Sequence, residues 1–219
     1  IIAVKNLCIE LPAKTIFGLI GPNGSGKTTL INLIMGIYKA DKGEIYFKNE
    51  RIDGLRPHEI ARRGLSKTFQ ITSVFRKMTV LENLFIPGIW QTEALSKLEK
   101  KALEILRFYD LLDLKYEYAE NLSGGQQKLL ELARASMLDP ELMLLDEPFY
   151  GIHPKLKNKI LAKIKSLNEN MGKSFLIVSH DMPSIMGLCE EMYVMNAGEI
   201  IARGNPHEIS TNEKVIEAY

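Results

Sequence analysis

The fold is decided by the stretch Ile16–Thr28, which reads IFGLIGPNGSGKT. Its first five residues form a short apolar run typical of a buried strand, and the run stops at a Gly-Pro turn signal. The remainder fits the pattern G-x-x-x-x-G-K-[ST], and helical apolar spacing follows at Leu30, Leu33, Ile34 and Ile37. The sequence therefore predicts a strand, a glycine-rich turn and a helix in succession.

The composition of this glycine-rich turn favours a loop that binds the phosphates of a nucleotide. Glycines let successive backbone N–H groups point inward, and a helix N-terminus adds partial positive charge. The Lys27 ammonium can reach the β- and γ-phosphates, and the Thr28 hydroxyl is placed to ligate Mg²⁺. The predicted nucleotide-binding residues are Gly21, Pro22, Asn23, Gly24, Ser25, Gly26, Lys27, Thr28 and Thr29.

Two adjacent acids follow another apolar run, in the stretch 142–147, which reads LMLLDE. An uninterrupted apolar run of this kind is typical of a central parallel strand. Because α/β folds bind ligands at the carboxyl ends of such strands, Asp146 and Glu147 are predicted to lie at a ligand site. Asp146 can hold Mg²⁺ through water, and Glu147 can polarise an attacking water. The solvated end of a strand explains the pair equally well by itself, and the phosphate loop favours the catalytic interpretation.

A third motif, LSGGQQ at residues 122–127, predicts a second anion-binding turn. Ser123 suits the N-cap of a helix. Gly124 and Gly125 would expose backbone N–H groups where that helix begins. Since a single nucleotide does not need two such turns, the motif points to assembly in pairs.

The rest of the chain alternates strands and helices around a helical middle section. The capping box of Thr79 and Glu82 predicts a helix that opens at Val80, and apolar spacing over 95–109 predicts a long amphipathic helix. Further predicted elements are strands at 45–47 and 175–178, a helix with Pro154 in its first turn, and a closing hairpin over 193–201.

We expect this pattern to form one domain over residues 1–219. Its α/β core would comprise residues 1–70 and 136–219, and a helical subdomain carrying the LSGGQQ motif would comprise residues 71–135.

The composition excludes several classes of protein. Apolar residues make up 46% and charged residues 25% of the chain, which argues against disorder. Lys and Arg number 28 against 27 Asp and Glu, and this near-balance gives no support to an electrostatic nucleic-acid binder. No apolar run approaches the roughly 20 residues of a membrane-spanning helix, and Cys8 and Cys189 lie too far apart to form a metal or redox motif.

Taken together, the motifs resemble those of the ATPase subunits of ATP-binding-cassette (ABC) transporters over nearly the whole chain. GPNGSGKT resembles the Walker A loop, LSGGQQ the family signature, and LMLLDE the Walker B strand with its catalytic glutamate. Gln70 falls where the Q-loop glutamine belongs, and His180 falls where the switch histidine belongs. The resemblance implies an α/β fold: a P-loop NTPase (RecA-like) core with an antiparallel β portion and an inserted α-helical subdomain.

The resemblance also implies how the site would work. ATP and Mg²⁺ would be the cofactors, and two identical or different subunits would face head to tail. Each ATP would lie between Lys27 and Thr28 of one subunit and the signature residues of the other, which are Ser123, Gly124, Gly125 and Gln126. The implied catalytic residues are Glu147, His180 and Gln70, with His180 at the γ-phosphate or the attacking water, and the implied metal ligands are Thr28, Gln70 and Asp146.

The partners implied by the resemblance are transmembrane permease subunits, which would dock on the helical insert, and an extracytoplasmic solute-binding protein. The protein would lie peripherally on the cytoplasmic face of the cell membrane. No nucleic-acid partner is expected.

Two positions depart from the family pattern. His153 stands in the sequence GIHP where the D-loop usually has Asp or Asn, so the usual contact across the dimer is in question there. Residues 2–7 resemble the second strand of the family, whereas the first strand and the aromatic that stacks on adenine are missing. We therefore expect the native chain to begin earlier than Ile1.

Three further stretches resemble the importers of branched-chain amino acids and their urea and amide relatives. They are MTVLENL at 78–84, KTFQ at 67–70 and the tail EKVIEAY at 213–219. DEPF at 146–149 with the same style of tail also occurs in the lipopolysaccharide exporter ATPase, which is the alternative transport function. Soluble ABC ATPases that act on nucleic acid or ribosomes are a less favoured class, because only 53 positions separate Gln70 from Ser123 and the chain holds a single cassette.

Overall fold

The structure is a computed structural model that describes residues 2–69, 72–89, 94–180 and 182–219. Within these residues, strands form a six-stranded sheet and a separate two-stranded hairpin. The strands are β1 (Ile16–Ile20), β2 (Tyr46–Phe47), β3 (Glu50–Arg51), β4 (Leu65–Lys67), β5 (Leu142–Asp146), β6 (Ser174–Val178), β7 (Glu191–Asn196) and β8 (Glu199–Gly204).

Helices follow most of these strands. They are α1 (Lys27–Ile34), α2 (Pro57–Arg62), α3 (Val80–Gly88), α4 (Leu95–Phe108), α5 (Gly124–Ser136), α6 (Pro154–Met171), α7 (Met182–Met186), α8 (Pro206–Ser210) and α9 (Glu213–Ala218). Two short 3₁₀ turns, Leu112–Leu114 and Ala119–Asn121, lie between α4 and α5. No helix in the described ranges combines the length and apolar character needed to cross a membrane.

The large sheet has the order β4-β5-β6-β1-β7-β8, and all of its neighbours pair in parallel except β7 with β8. Parallel strands covered on both faces become apolar throughout, and every residue of β1 and of β5 is buried. The register places Leu19 of β1 and Asp146 of β5 opposite the same residue, Val178 of β6. The three strands therefore end at one edge, where the loops that follow them meet.

Apolar side chains pack on both faces of the sheet, because alternate strand residues point to opposite faces. Phe17, Leu19 and Leu144 join one cluster with Ile31 of α1. On the other face, Met143 and Leu145 belong to a larger cluster that also takes in residues of α3 to α6. The predicted α/β architecture is confirmed, with its antiparallel portion in the β7–β8 and β2–β3 hairpins.

Local signals predicted several boundaries correctly. Thr79 caps α3 and accepts a hydrogen bond from the Glu82 N–H, so the capping box is confirmed. Pro154 is the first residue of α6, and the closing hairpin turns at residues 197–198.

Two predictions about local structure were wrong. Ile37 lies outside α1 and is 44% exposed, because Gly36 adopts a left-handed conformation (φ 65°) directly after the last turn of the helix. Residues 2–7 form no strand, since Asn6 has a φ of 47° and interrupts extended backbone. This segment is instead attached by a hydrogen bond from the Lys5 N–H to the Gly198 carbonyl at 2.9 Å.

Candidate functional site

The glycine-rich loop joins the end of β1 to the start of α1, as its position in the sequence predicts. Gly21 and Gly26 have φ values of 149° and 104°. A Cβ at Gly21 would overlap the Met195 carbonyl oxygen, and one at Gly26 would overlap the Ala3 carbonyl oxygen. Only glycine therefore lets the loop lie this close to its neighbours. No side chain caps α1 within the described part of the chain, so its first backbone N–H groups face the loop, and Thr29 lies in this first turn.

The Lys27 side chain lies inside this loop. Its ammonium donates hydrogen bonds to the carbonyls of Gly21 and Pro22 at 2.8 and 2.9 Å, and to the Ser25 hydroxyl at 3.2 Å. Burial lowers the pKa of Lys27, while the charges of Glu147 and Asp146 act in the opposite direction. The cation is thus held between the loop and the acids that end β5.

Asp146 is buried at the end of β5, with only 2% of its surface exposed. Its Oδ1 is a buried oxygen with no hydrogen-bond partner among the described residues, and its side chain is hydrogen-bonded to Thr28. Burial raises the pKa of Asp146, and the charge of Lys67 and the Thr28 hydrogen bond partly offset this. An unpartnered carboxylate oxygen beside a hydroxyl is a donor set that suits Mg²⁺, which takes oxygen ligands and keeps several waters.

Glu147 and His180 form a directly bonded pair. The Nδ1 of His180 lies 2.9 Å from Oε1 of Glu147. The other carboxylate oxygen accepts from the Ser179 hydroxyl at 3.2 Å and from the His180 N–H at 3.4 Å. Glu147 has a left-handed backbone (φ 48°), and its N–H bonds the Val178 carbonyl at 2.8 Å. This turn directs the carboxylate towards the loop after β6.

The signature turn is built as the sequence predicts. Ser123 caps α5 in a capping box with Gln126, and both Ser123 and Gly124 are exposed. A Cβ at Gly125 would overlap the Leu156 side chain of α6, whereas one at Gly124 would have no atom of the described residues within 4 Å. Within the ranges that the structure describes, no hydrogen bond or ion pair joins this turn to the phosphate loop.

Of the remaining residues singled out from the sequence, the structure describes His153 but not Gln70. Gln70 lies outside the described residues. His153 is the N-cap of α6, and its Nδ1 accepts from the Lys155 N–H at 3.3 Å. The unusual D-loop residue therefore supplies the acceptor that Asp or Asn would supply at a helix start.

Sequence reasoning missed three residues beside the acids. Thr68 Oγ1 accepts from the Asp146 N–H at 3.3 Å, and Ser179 donates to Glu147. Lys67 acts on Asp146 through its charge and donates to the Asn32 side chain. All three lie at or just beyond the carboxyl ends of β4 and β6. The rule that ligands bind at those ends could have identified Ser179 from the predicted strand at 175–178, and Lys67 and Thr68 had β4 been recognised from its short sequence.

No cluster of three or more His, Cys, Asp or Glu side chains suited to a metal occurs in the described part of the chain. Among the described residues, the side chains that could hold magnesium here are therefore one carboxylate, Asp146, and one hydroxyl, Thr28, with phosphate oxygens and water as further ligands.

Comparison with known proteins identifies the family. A family model described as ABC transporter matches residues 4–150, and a second, described as branched-chain amino acid ATP-binding cassette transporter, matches residues 199–219. The probable branched-chain amino acid transport ATP-binding protein LivG of Archaeoglobus fulgidus is 43% identical, with 99% of this chain and 89% of that protein aligned. The high-affinity LivG of Escherichia coli K12 is 36% identical, with 100% and 92% aligned.

Solved structures agree with this assignment. A nucleotide-free ATP-binding cassette from an ABC transporter superposes with a TM-score of 0.90 at 36% identity, covering 99% of this chain and 92% of that one. A dimeric bacterial ABC transporter cassette superposes with a TM-score of 0.84 at 29% identity, covering 93% and 90%. The chain therefore belongs to the ABC transporter family, as one of the ATP-binding subunits that couple ATP hydrolysis to transport.

Proposed function

We propose that this chain hydrolyses ATP at the edge where β1, β5 and β6 end, and that hydrolysis drives the import of branched-chain amino acids. The observation that carries the catalytic part is the direct Glu147–His180 pair beside the Lys27 loop. A buried base bonded to a histidine, next to a cation in a phosphate loop, is an arrangement for attack by water on a phosphate.

Each side chain has a distinct part in this reaction. Lys27 leaves its loop carbonyls to bind the β- and γ-phosphates, and the N–H groups at the start of α1 bind phosphate oxygens. Glu147 orients the attacking water and accepts its proton. The Nδ1 of His180 is engaged by Glu147, so Nε2 is the nitrogen that can approach the γ-phosphate or the water. The exposed ring of Tyr150 packs edge-on against His180 at 5.9 Å between centroids and limits how far it can turn.

Mg²⁺ would be held by Thr28, Asp146 and Gln70, and when bound it neutralises charge on the phosphates. The unpartnered Oδ1 of Asp146 supports this assignment. Thr28 already lies in hydrogen-bond contact with that carboxylate, so the two side chains are positioned together.

The exposed signature turn supports a dimer in which each subunit completes the site of the other. Ser123, Gly124, Gly125 and Gln126 make no described contact with their own phosphate loop, and the helix start at Ser123 can bind an anion from outside. A two-fold dimer, identical or mixed, brings this turn to the partner's ATP. The dimeric cassette among the structural relatives supports the same assembly.

The relatives support a proposal for the partners and the location of the chain. We infer that the helical subdomain at 71–135 docks on membrane permease subunits, and that the 1–70 and 136–219 core carries hydrolysis. The assembly would lie on the cytoplasmic face of the membrane, with a solute-binding protein on the other side. LivG relatives and the 199–219 match favour branched-chain amino acid import over the lipopolysaccharide-exporter alternative.

Two measurements test this function. Purified protein should hydrolyse ATP in the presence of Mg²⁺, and Lys27→Ala should abolish nucleotide binding because the phosphates lose their cation. Vesicles that contain the protein with its neighbouring permeases should take up leucine only when ATP is supplied inside. ATP affinity unchanged in Lys27→Ala would contradict the site, and leucine uptake without ATP would contradict the coupling.

A further inference from the structure

A cavity of about 260 Å³ lies between α4 and α6, at the opposite end of the sheet from Asp146 and Glu147. It is lined by Asp139 and Pro140, which precede β5, and by Lys173, which precedes β6. The two acids, in contrast, end or follow β5 at its carboxyl end. Because β5 has five residues, roughly 15 Å of strand separates the two places. The cavity is therefore distinct from the proposed catalytic site.

The walls of this cavity are apolar. They are formed by α4, α6 and β5 through Ile105, Phe108, Leu167, Met171 and Met143. Met143 and Leu167 are buried, whereas Met171 is 61% exposed and lies at the mouth. Methionine side chains adapt readily to the shape of a neighbouring apolar group. Pockets for drug-sized ligands measure about 300–1,000 Å³, so this cavity suits a smaller molecule with an apolar body.

Four charged side chains line the same cavity, namely Lys101, Glu104, Asp139 and Lys173. The Lys173 ammonium lies 2.6 Å from Oδ1 of Asp139. Lys101 and Glu104 lie one helical turn apart on α4, and neither forms an ion pair with another described residue. The two acids are exposed and the two lysines are half-buried, so the charges lie towards the mouth. Each pair presents one cation and one carboxylate to the space above the apolar walls.

This set of charges discriminates between classes of ligand. A molecule with a single charge meets as many like charges as opposite ones at the mouth, because two cations face two carboxylates. A zwitterion can place its carboxylate on the Lys173 ammonium and its own ammonium on the Asp139 carboxylate. Hydrogen bonds between ionised groups are roughly twice as strong as those between neutral groups. An α-amino acid carries both charged groups on one carbon, which suits a pair of atoms only 2.6 Å apart.

We propose that this cavity is a binding site for a zwitterionic α-amino acid with an aliphatic side chain. The side chain lies against Met143 and Leu167, and the charged groups bond Lys173 and Asp139. The zwitterionic class and the apolar side chain follow from the cavity alone. The choice of a branched side chain, and of leucine as the probe, rests on the proposed function, in which branched-chain amino acids are the imported solutes.

The location of the site is tested by NMR of the purified full chain with isotope-labelled methionine methyl groups. Leucine should shift the methyl resonances of Met143 and Met171, which line the cavity. It should leave unchanged the resonance of Met195, whose methyl carbon lies beside Gly26 of the phosphate loop. ADP should give the opposite pattern, which separates the cavity from the nucleotide site.

Two analogues of leucine test the role of the charges. Isocaproate keeps the branched side chain and the carboxylate but lacks the ammonium, and isoamylamine keeps the side chain and the ammonium but lacks the carboxylate. Each should bind about 10-fold more weakly than leucine or worse, the effect of losing one hydrogen bond between charged groups. Titration of the methyl shifts gives the three dissociation constants.

Asp139→Asn is the corresponding change in the protein. Asp139 is exposed and has a left-handed backbone (φ 51°), which Asn tolerates, so we expect this variant to fold. Its affinity for leucine should fall by about 10-fold. Asp110→Asn is the matched control, because Asp110 is also exposed, left-handed (φ 57°) and paired with lysine but does not line the cavity. The control should keep the affinity of the wild type.

Any one of three results would overturn the proposal. The first is the absence of a leucine-dependent shift at Met143 and Met171. The second is binding of isocaproate or isoamylamine as tight as that of leucine, which would mark an apolar slot for the side chain of another protein. The third is an unchanged affinity for leucine in Asp139→Asn, or in Lys173→Gln should the first variant not fold. None of these measurements needs ATP hydrolysis, so a wild type without ATPase activity would refute the proposed function and not this site.

Discussion

Replacing Asp146 by Asn should make the protein more stable without nucleotide and less stable than wild type with Mg·ATP. Burial raises the pKa of Asp146 despite two nearby lysines, so the ionised form is net unfavourable in the folded state. Its Oδ1 has no hydrogen-bond partner among the described residues, so the cost of burying this charge is only partly compensated, and the amide removes the charge. We expect the neutral amide to recover about 1 kcal/mol, which corresponds to roughly 2–4 °C in Tm for a chain of this size.

The stability difference between Asp146→Asn and wild type should change with pH in a definite direction. The penalty of a carboxyl with a raised folded pKa is present above that pKa and disappears as the pH falls through it, because the group becomes protonated. The advantage of Asp146→Asn should therefore be full at neutral pH and should shrink on acidification. Thermal unfolding followed at several pH values measures it.

The stabilisation of each protein by nucleotide, with and without Mg²⁺, gives a second test of the role of Asp146. A ligand at 100 times its Kd stabilises a protein by about 2.7 kcal/mol. Wild type should gain more from Mg·ATP than from ATP with a chelator, since the proposed Mg²⁺ would satisfy Oδ1 of Asp146. The variant should gain equally from both, and the order of the two Tm values should reverse.

The exposed residue Asp41 provides a matched control, because Asp41→Asn removes a charge that is not buried. Asp41→Asn should have the same Tm as wild type, within error, without nucleotide, with Mg·ATP and with ATP plus chelator. The reasoning is refuted if Asp146→Asn is less stable than wild type without nucleotide. It is refuted also if Mg·ATP stabilises both proteins to the same extent.

Three further predictions concern neighbouring features. Glu147→Gln should bind ATP normally but persist as an ATP-bound dimer, because the amide cannot accept a proton from water; a monomer on size-exclusion chromatography with ATP would contradict this. Gly125→Ala should reduce ATP-driven dimerisation because its Cβ overlaps a leucine of α6, while Gly124→Ala has free space and should not; equal effects would refute the distinction. Tyr109→Phe should lower the free energy of unfolding by about 1 kcal/mol through loss of one buried hydrogen bond, measured by urea denaturation, and no change in midpoint would contradict it.

The structural elements that could be predicted from sequence were those specified by a short run of consecutive residues. The run from Ile16 to Thr28 contains its own strand, turn and helix start. The capping box of Thr79 and Glu82 specifies the start of α3 within four residues. The order of such signals sufficed to predict the α/β fold. The acids at 146–147 could be placed at a ligand edge because parallel strands share that edge.

The parts not predictable were contacts between residues far apart in the chain. Phe69 and Glu131 are separated by 62 positions, and no periodicity of either segment indicates their hydrogen bond. The exit of Ile37 from α1 depends on the conformation of Gly36, which the helical spacing alone does not reveal. Likewise, the cap formed by His153 uses an imidazole nitrogen where the usual preference is for a short oxygen-bearing side chain.

The left-handed backbone at Glu147 has a consequence for protein engineering. Successive residues of a strand point to opposite faces, so two neighbouring carboxylates could not both serve one site if β5 simply continued. The turn at Glu147 makes this possible, at a cost of about 1–2 kcal/mol for a residue with a Cβ. Glycine would adopt the same backbone freely but carries no carboxylate. A library selected for heat resistance alone thus has no reason to retain the residue that we propose as the catalytic base, so selection at this position must include activity.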